Sequence, residues 1–156
     1  MIADRNIEER LLLNLMEGDA YDFLETQCAK QGMTIREYAH KLATQGTIAY
    51  NMIDNNMSGY VIGYTSDPNY KTSFITQVYV DQKYRGLHIA SKLMKEYEEF
   101  CITKKLCGIW LTTQVDNYAA QKLYKSLGFI NEGYADKDKR LYKFTKSIQE
   151  KVFDNE

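Results

Sequence analysis

The chain has 156 residues, 44% of them hydrophobic, which suits one domain with a substantial core. Its 20 basic and 21 acidic residues give a formal charge of -1, so overall charge offers no case for nucleic acid or an anionic membrane as a partner. The sequence shows no leader-like start and no apolar stretch long enough to span a bilayer, which predicts a cytoplasmic location. Cys28, Cys101 and Cys107 form no C-x-x-C pair, so we expect buried free thiols and no metal site.

The first third of the chain has helical periodicity. Residues 7–16 predict a helix, although the leucine-rich residues 11–15 also suit a strand. A second helix follows, with Asp19 or Asp22 as its predicted cap, and ends at Gly32.

A third helix and a hairpin come next. Thr34 followed by Glu37 is a capping-box pattern, and the helix it starts is predicted to close near Gly46. Residues 47–53 and 57–65 then read as two strands around a polar turn.

The middle of the chain predicts a strand, a helix and a strand. Residues 72–80 and 108–115 are the strands, and residues 87–104 form the amphipathic helix between them. This order predicts a parallel pair with a right-handed crossover. Gly59 and Gly63, inside the preceding strand, mark either bulges and close backbone approach or ordinary strand positions.

The last third predicts one more helix and two strands. Asn117 caps the helix 118–127, and Gly128 ends it in a left-handed conformation. Residues 129–134 and 140–144 are the strands. The tail 146–156 suits either a short helix or a frayed end.

The sum is one domain over residues 1–156 with a mixed α/β fold, in which a mostly antiparallel sheet carries helices on its faces. Residues 1–45 form a helical segment and residues 46–145 form the sheet-containing core.

A basic turn joins the strand 72–80 to the helix after it. Arg85 and His88 flank Gly86, and Ile89 opens a helix whose first N–H groups lack intrahelical partners. A diphosphate would satisfy those donors. A glycine in such a position also suits a plain turn.

A second pattern lies on the helix 118–127. Asn117, Ala120 and Tyr124 are spaced i, i+3 and i+7, which places them on one face, while Leu123 and Leu127 are expected to face the core.

Together these motifs resemble the GNAT superfamily of acetyl-CoA-dependent N-acetyltransferases over residues 45–145. The pyrophosphate motif stands as Arg85-Gly-Leu-His-Ile-Ala90, followed by Asn117, Ala120, Tyr124, Gly128 and Phe129 at the family spacing. His88 replaces the usual glycine, so the loop is expected to keep an ordinary conformation, with the imidazole either pointing outward or bonding a phosphate.

The resemblance implies acetyl-CoA as co-substrate, a parallel strand pair that splays around it, and direct attack by an acceptor amine on the thioester. Tyr124 is implied to protonate the departing thiolate, or else is a packed helix tyrosine. A backbone N–H near Val78 would stabilise the oxyanion. The implied coenzyme contacts are Val78, Tyr79, Val80, Arg85, Gly86, Leu87, His88, Ile89, Ala90, Ser91, Asn117, Ala120 and Tyr124.

The general base is not evident, because the strand 72–80 has no carboxylate. Polar residues that could orient a water relay are Thr76, Gln77, Tyr79, Thr112 and Gln114. Carboxylates elsewhere, more typical of caps and surface charge, are Asp116, Asp19, Asp22 and Glu25.

The acceptor is expected to be a primary amine of a small molecule, with an amino sugar and a homodimer as open alternatives. The N-terminal helices would form its wall, with Tyr21, Phe23 and Tyr38 as aromatic candidates, although core packing also explains them. A binding module without turnover is the competing function.

Overall fold

The structure is a computed structural model that describes residues 1–65 and 71–148. The predicted loop 66–70 and most of the predicted tail lie outside these residues. The described α-helices are α1 (Glu9–Met16), α2 (Tyr21–Lys30), α3 (Ile35–Gln45), α4 (Ile89–Thr103) and α5 (Tyr118–Ser126), and a short 3₁₀ helix covers Gln82–Tyr84. The strands are β1 (Ile2–Asp4), β2 (Thr47–Ile53), β3 (Asn56–Tyr64), β4 (Thr72–Val80), β5 (Gly108–Gln114), β6 (Ile130–Tyr134) and β7 (Leu141–Ser147).

The strands form a mixed sheet in the order β1-β2-β3-β4-β5-β7-β6. The pairs β1–β2, β2–β3, β5–β7 and β6–β7 are antiparallel, whereas β4 and β5 are parallel. The predicted mixed fold with one parallel pair is therefore confirmed. The parallel ladder joins residues 72–74 to residues 108–110, three of the nine residues of β4.

The chain divides into two compact units, of which the first comprises Met1–Tyr64 and Thr76–Tyr97. Its core is built from the apolar faces of α1, α2 and α3 and from strand residues. Fully buried members include Leu12, Leu24, Leu42, Tyr60 and Ile62. Each such aliphatic side chain contributes about 1.5–3 kcal/mol on burial, so tertiary packing holds these short helices in place.

Local capping in this unit agrees in part with the sequence prediction. The Thr34 hydroxyl accepts a hydrogen bond from the Glu37 N–H at 3.1 Å, which confirms the cap of α3. The predicted cap of α2 is wrong, because Ala20 occupies that position and makes no side-chain bond. Asp19 directs its carboxylate to other donors, and Asp22 lies in the first turn of the helix.

The β2–β3 hairpin turns through Asp54 and Asn55, with φ of 50° and 63°, as a primed turn requires. The register shifts between Asn51 and Met52, which marks a bulge. A Cβ at Gly59 would lie 3.0 Å from the Tyr79 carbonyl oxygen, so close backbone approach is the correct interpretation of this glycine.

The second unit comprises Thr65–Ile75 and Glu98–Glu156. Gly128 has a φ of 91° and ends α5 as predicted. The expected facing of this helix is wrong: Tyr124 is buried, whereas Leu123 and Leu127 are half-buried. The helix turns Tyr124 inward because its ring packs against Phe129 and Phe144.

Three shorter features also correct or complete the prediction. β1 and the 3₁₀ helix were not predicted, and α4 begins at Ile89 rather than at residue 87. Cys28 and Cys101 are buried free thiols, and Cys107 is half-buried. Neither described stretch of the chain contains a helix with the length and hydropathy to cross a membrane.

Candidate active site

The basic turn after β4 presents the start of α4 to solvent. Asp81 caps the 3₁₀ helix by accepting a bond from the Lys83 N–H at 3.0 Å. The first backbone bond into α4 runs from the Lys92 N–H to the His88 carbonyl at 3.1 Å, and in the described chain the N–H groups of residues 89–91 have no backbone acceptor. The first turn of α4 carries no acidic side chain. These open donors favour an anion.

The backbone of this turn takes a conformation that the sequence did not predict. Gly86 has a φ of 84° and His88 a φ of 59°, so the expectation of an ordinary conformation at His88 is wrong. The chain needs a left-handed residue to enter α4, and histidine is one of the non-glycine residues found there. Such a conformation costs about 1–2 kcal/mol for an L-residue. The side chain of His88 is exposed, as are Gly86 and Leu87.

Arg85 lies against the end of β4. Its Nε donates to the Val80 carbonyl oxygen at 3.0 Å. Its guanidinium carbon lies 5.4 Å from the centroid of the Tyr79 ring, a cation–π distance. The cationic group is thereby held beside the turn that exposes the α4 donors.

Asp19, in the loop between α1 and α2, binds both the strand and the turn. One carboxylate oxygen, Oδ2, accepts from the Tyr79 hydroxyl at 2.7 Å and from the Gln82 N–H at 3.0 Å. The hydrogen bond from Tyr79 is the main cause that lowers the pKa of Asp19. Burial, followed by the Asp19 bond, raises the pKa of Tyr79 to about 12. At neutral pH the pair is therefore carboxylate and phenol.

The inward side chain of Gln77 is also bound by the N-terminal helices. Its Nε2 donates to the Tyr38 hydroxyl at 3.2 Å, and both side chains are buried. Burial raises the pKa of both Tyr38 and Tyr60. Within the described residues, Gln77 Oε1 and the Tyr60 hydroxyl are buried without a hydrogen-bond partner. Val78, between Gln77 and Tyr79, is half-buried.

On α5, the predicted motif residues have distinct environments. Asn117 Oδ1 accepts from the Ala120 N–H at 3.1 Å, which confirms the predicted cap. Tyr124 is 6% exposed, with its ring centroid 6.0 Å from that of Phe129 and 5.9 Å from that of Phe144. Burial raises the pKa of Tyr124 to about 12, so the phenol is a proton donor at neutral pH.

The acceptor-side candidates are dispersed. Tyr21 lines a cavity of about 410 Å³ between α2 and α3, with Glu25 and Met33 among its other lining residues. Phe23 stacks on Tyr79 at 5.3 Å between ring centroids, and Tyr38 is a core residue. The carboxylates proposed from the sequence, other than Asp19, lie in exposed residues; these are Asp22, Glu25 and Asp116.

The predicted contacts divide between the two compact units. The first contains Val78, Tyr79, Val80 and the turn 85–91, and the second contains Asn117, Ala120 and Tyr124. Thr112 is half-buried and Gln114 exposed in β5. No cluster of three or more potential metal-binding side chains occurs in residues 1–65 and 71–148.

Sequence reasoning missed the bonding of Asp19. The Asp19–Tyr79 contact joins residues 60 positions apart, so no local periodicity or cap pattern could reveal it. The polar content of the short loop after α1 was the available signal, and it was interpreted as a helix cap.

A mixed sheet whose central strand leads through a basic turn into an open helix N-terminus defines an anion-binding α/β protein. Comparison with known proteins identifies its family. The model of the acetyltransferase (GNAT) family matches residues 12–129, most of the chain, and the chain belongs to this family. The membership expected from the motifs is confirmed.

Individual relatives agree with this assignment. Human N-acetylaspartate synthetase is 32% identical over 85 residues, which cover 54% of this chain and 28% of that protein, so the chain spans less than a third of its length. A GNAT-family acetyltransferase from Staphylococcus aureus has a TM-score of 0.67 at 18% identity, covering 96% of this chain and 99% of the other. A Bacillus anthracis structure assigned as a streptothricin acetyltransferase, in complex with acetyl coenzyme A, has a TM-score of 0.57 at 24% identity, covering 66% and 62%.

Proposed function

We propose that the chain transfers the acetyl group of acetyl-CoA to a primary amine of a small molecule through a ternary complex. The observation that carries this proposal is the start of α4, where the N–H groups of residues 89–91 lack a backbone acceptor in the described chain and Arg85 lies beside the turn. Open helix donors with an adjacent guanidinium suit a pyrophosphate. Family membership makes acetyl-CoA the expected source of that pyrophosphate.

In this proposal the first unit holds the coenzyme. The N–H groups of residues 87–91 bind the pyrophosphate, and Arg85 adds a charge-assisted bond after leaving the Val80 carbonyl. Gly86 and His88 give the turn the left-handed geometry that exposes those donors. Main-chain groups of Val78 and Val80 bind the pantetheine arm in the manner of an added strand. The short β4–β5 ladder supports this role, because the later residues of β4 do not pair with β5 in the described register.

The second unit supplies the proton donor. Asn117 steadies the arm, and the small side chain of Ala120 leaves space beside Tyr124. With a pKa of about 12, the Tyr124 phenol stays protonated while the leaving thiolate, whose conjugate acid has a pKa near 8.5, departs. Proton donation to the thiolate is thus favourable. Acetyl-CoA supplies the activated thioester when bound.

The acceptor in this proposal carries a neutral or easily deprotonated amine, because β4 supplies no carboxylate base. The name of the human relative, N-acetylaspartate synthetase, supports an amino-acid amine as one acceptor class. An amino sugar remains the alternative. A cytoplasmic location and a homodimer also belong to the proposal, and neither affects the chemistry.

The same carboxylate-free strand favours a second candidate, a sensor or partner module that binds acyl-CoA without turnover. Incubation of the chain with acetyl-CoA and a panel of aspartate, other amino acids, glucosamine and a peptide N-terminus separates the two. Transfer predicts thiol release that depends on the amine, with a product heavier by one acetyl group. Coenzyme binding without thiol release for any amine would favour the sensor module.

A further inference from the structure

The loop between α1 and α2 is bound to the turn before α4 through a single oxygen atom. Asp19 Oδ2 accepts from the Tyr79 hydroxyl, near the end of β4, and from the Gln82 N–H, at the start of the 3₁₀ helix. Since both donors bind one acceptor, the carboxylate fixes the end of the strand relative to the start of the turn. All of these residues belong to the first compact unit.

The same contacts continue to Arg85. The Tyr79 ring lies under the guanidinium at 5.4 Å, and Arg85 Nε bonds the Val80 carbonyl. Phe23 packs against the same tyrosine ring at 5.3 Å. The orientation of Arg85 therefore depends on the position of the Tyr79 ring, and the ring depends on Asp19.

We propose that Asp19 is a positioning residue for coenzyme binding: through Tyr79 and Gln82 it holds Arg85 and the end of β4 where they receive the pyrophosphate. This inference rests on the proposed function and adds a residue outside the family motifs. Asp19 does not itself contact the coenzyme in this account. It acts by accepting two hydrogen bonds, so its geometry matters more than its negative charge.

A direct role for Asp19 as the base that deprotonates the acceptor is less consistent with the structure. Its carboxylate already accepts two bonds, and the lowered pKa of Asp19 makes it a weaker base than a free aspartate. The two roles differ in what they predict: loss of positioning raises the dissociation constant of acetyl-CoA, whereas loss of a base lowers kcat.

The test compares Asp19→Ala with Asp19→Asn in the full chain. Titration calorimetry with acetyl-CoA gives the dissociation constant, and amide hydrogen exchange gives the protection of the Gln82 N–H without coenzyme. For Asp19→Ala we expect at least about tenfold weaker binding and lost Gln82 protection, because two bonds to a charged acceptor disappear. Asp19→Asn keeps an oxygen acceptor and should bind within about threefold of the unaltered chain. Asp22→Ala, the matched control on the exposed start of α2, should change neither quantity.

A double-mutant cycle with Tyr79→Phe sharpens the result. If Asp19 acts through the tyrosine, the losses of affinity for Asp19→Ala and Tyr79→Phe overlap, and the double variant binds little worse than the weaker single variant. Wild-type affinity in Asp19→Ala, or an Asp19→Asn variant as weak as Asp19→Ala, would overturn the positioning role alone. A fall in kcat at unchanged coenzyme affinity would assign Asp19 to the acceptor instead. Failure of the unaltered chain to bind acetyl-CoA would contradict both the proposed function and this role.

Discussion

Tyr124 joins two properties that usually exclude each other in a catalytic acid, close packing and a free proton. Its ring packs against Phe129 and Phe144, while among the described residues its hydroxyl has no hydrogen-bond partner. Burial raises the pKa of Tyr124 to about 12, which keeps the proton on the phenol. The packed-tyrosine interpretation and the catalytic one are therefore compatible, and the hydroxyl alone distinguishes them.

We expect Tyr124→Phe to lower kcat by about 10²-fold, the range of general acid catalysis, with little change in acetyl-CoA affinity. The thermal midpoint should stay within about 2 °C, because the ring remains and the hydroxyl has no described partner. Steady-state thiol release measures the first quantity and thermal unfolding the second. Tyr118→Phe, on the exposed side of the same helix, is the matched control.

The pH dependence gives an independent check. Since the pKa of Tyr124 is about 12, no fall in rate below about pH 11 should disappear on its replacement by phenylalanine. Unchanged turnover in Tyr124→Phe would remove this residue as the acid.

At the scale of elements, local signals predicted what local forces determine. The Thr34 cap, the β2–β3 turn and the Asn117 cap each depend on residues within a few positions, and the structure agrees with all three predictions. β1 was missed because three residues that pair with β2 across more than forty positions leave no periodic pattern. The α2 cap was wrong for the same reason, since a distant donor takes the Asp19 carboxylate.

The left-handed His88 gives a prediction for the turn. His88→Gly should raise the free energy of unfolding by about 0.5–1 kcal/mol, because relief of backbone strain exceeds the entropy that glycine adds to the unfolded chain. Urea unfolding measures this change. The affinity for acetyl-CoA should be unchanged if the exposed imidazole makes no phosphate contact. Affinity reduced tenfold in a more stable variant would instead show that the imidazole binds a phosphate.

Gly59 tests whether the end of β4 must stay where it is. A Cβ at Gly59 would lie 3.0 Å from the Tyr79 carbonyl oxygen and 3.1 Å from Val80 Cγ2. Gly59→Ala should therefore destabilise the chain by about 1–3 kcal/mol and weaken acetyl-CoA binding, as β4 shifts away. Gly32→Ala, at a φ of 66° with open space around it, should destabilise without changing affinity. An equal effect of the two variants on affinity would contradict this role for Gly59.

At the scale of the whole molecule, composition predicts little about function. A formal charge of -1 over 156 residues conceals a local arrangement in which Lys83 and Arg85 precede an open helix N-terminus. Motif order predicted the family, because each motif residue meets a separate backbone or charge requirement. The acceptor could not be predicted, since its contacts come from side chains that no motif fixes.

The central claim is that the turn before α4 binds the pyrophosphate of acetyl-CoA, and calorimetric titration of the full chain tests it most directly. Acetyl-CoA should saturate one site, while S-acetylpantetheine, which lacks the pyrophosphate, should bind at least about 100-fold more weakly because the charge-assisted bonds are lost. Equal affinity for the two ligands, or no saturable binding of acetyl-CoA, would contradict the account.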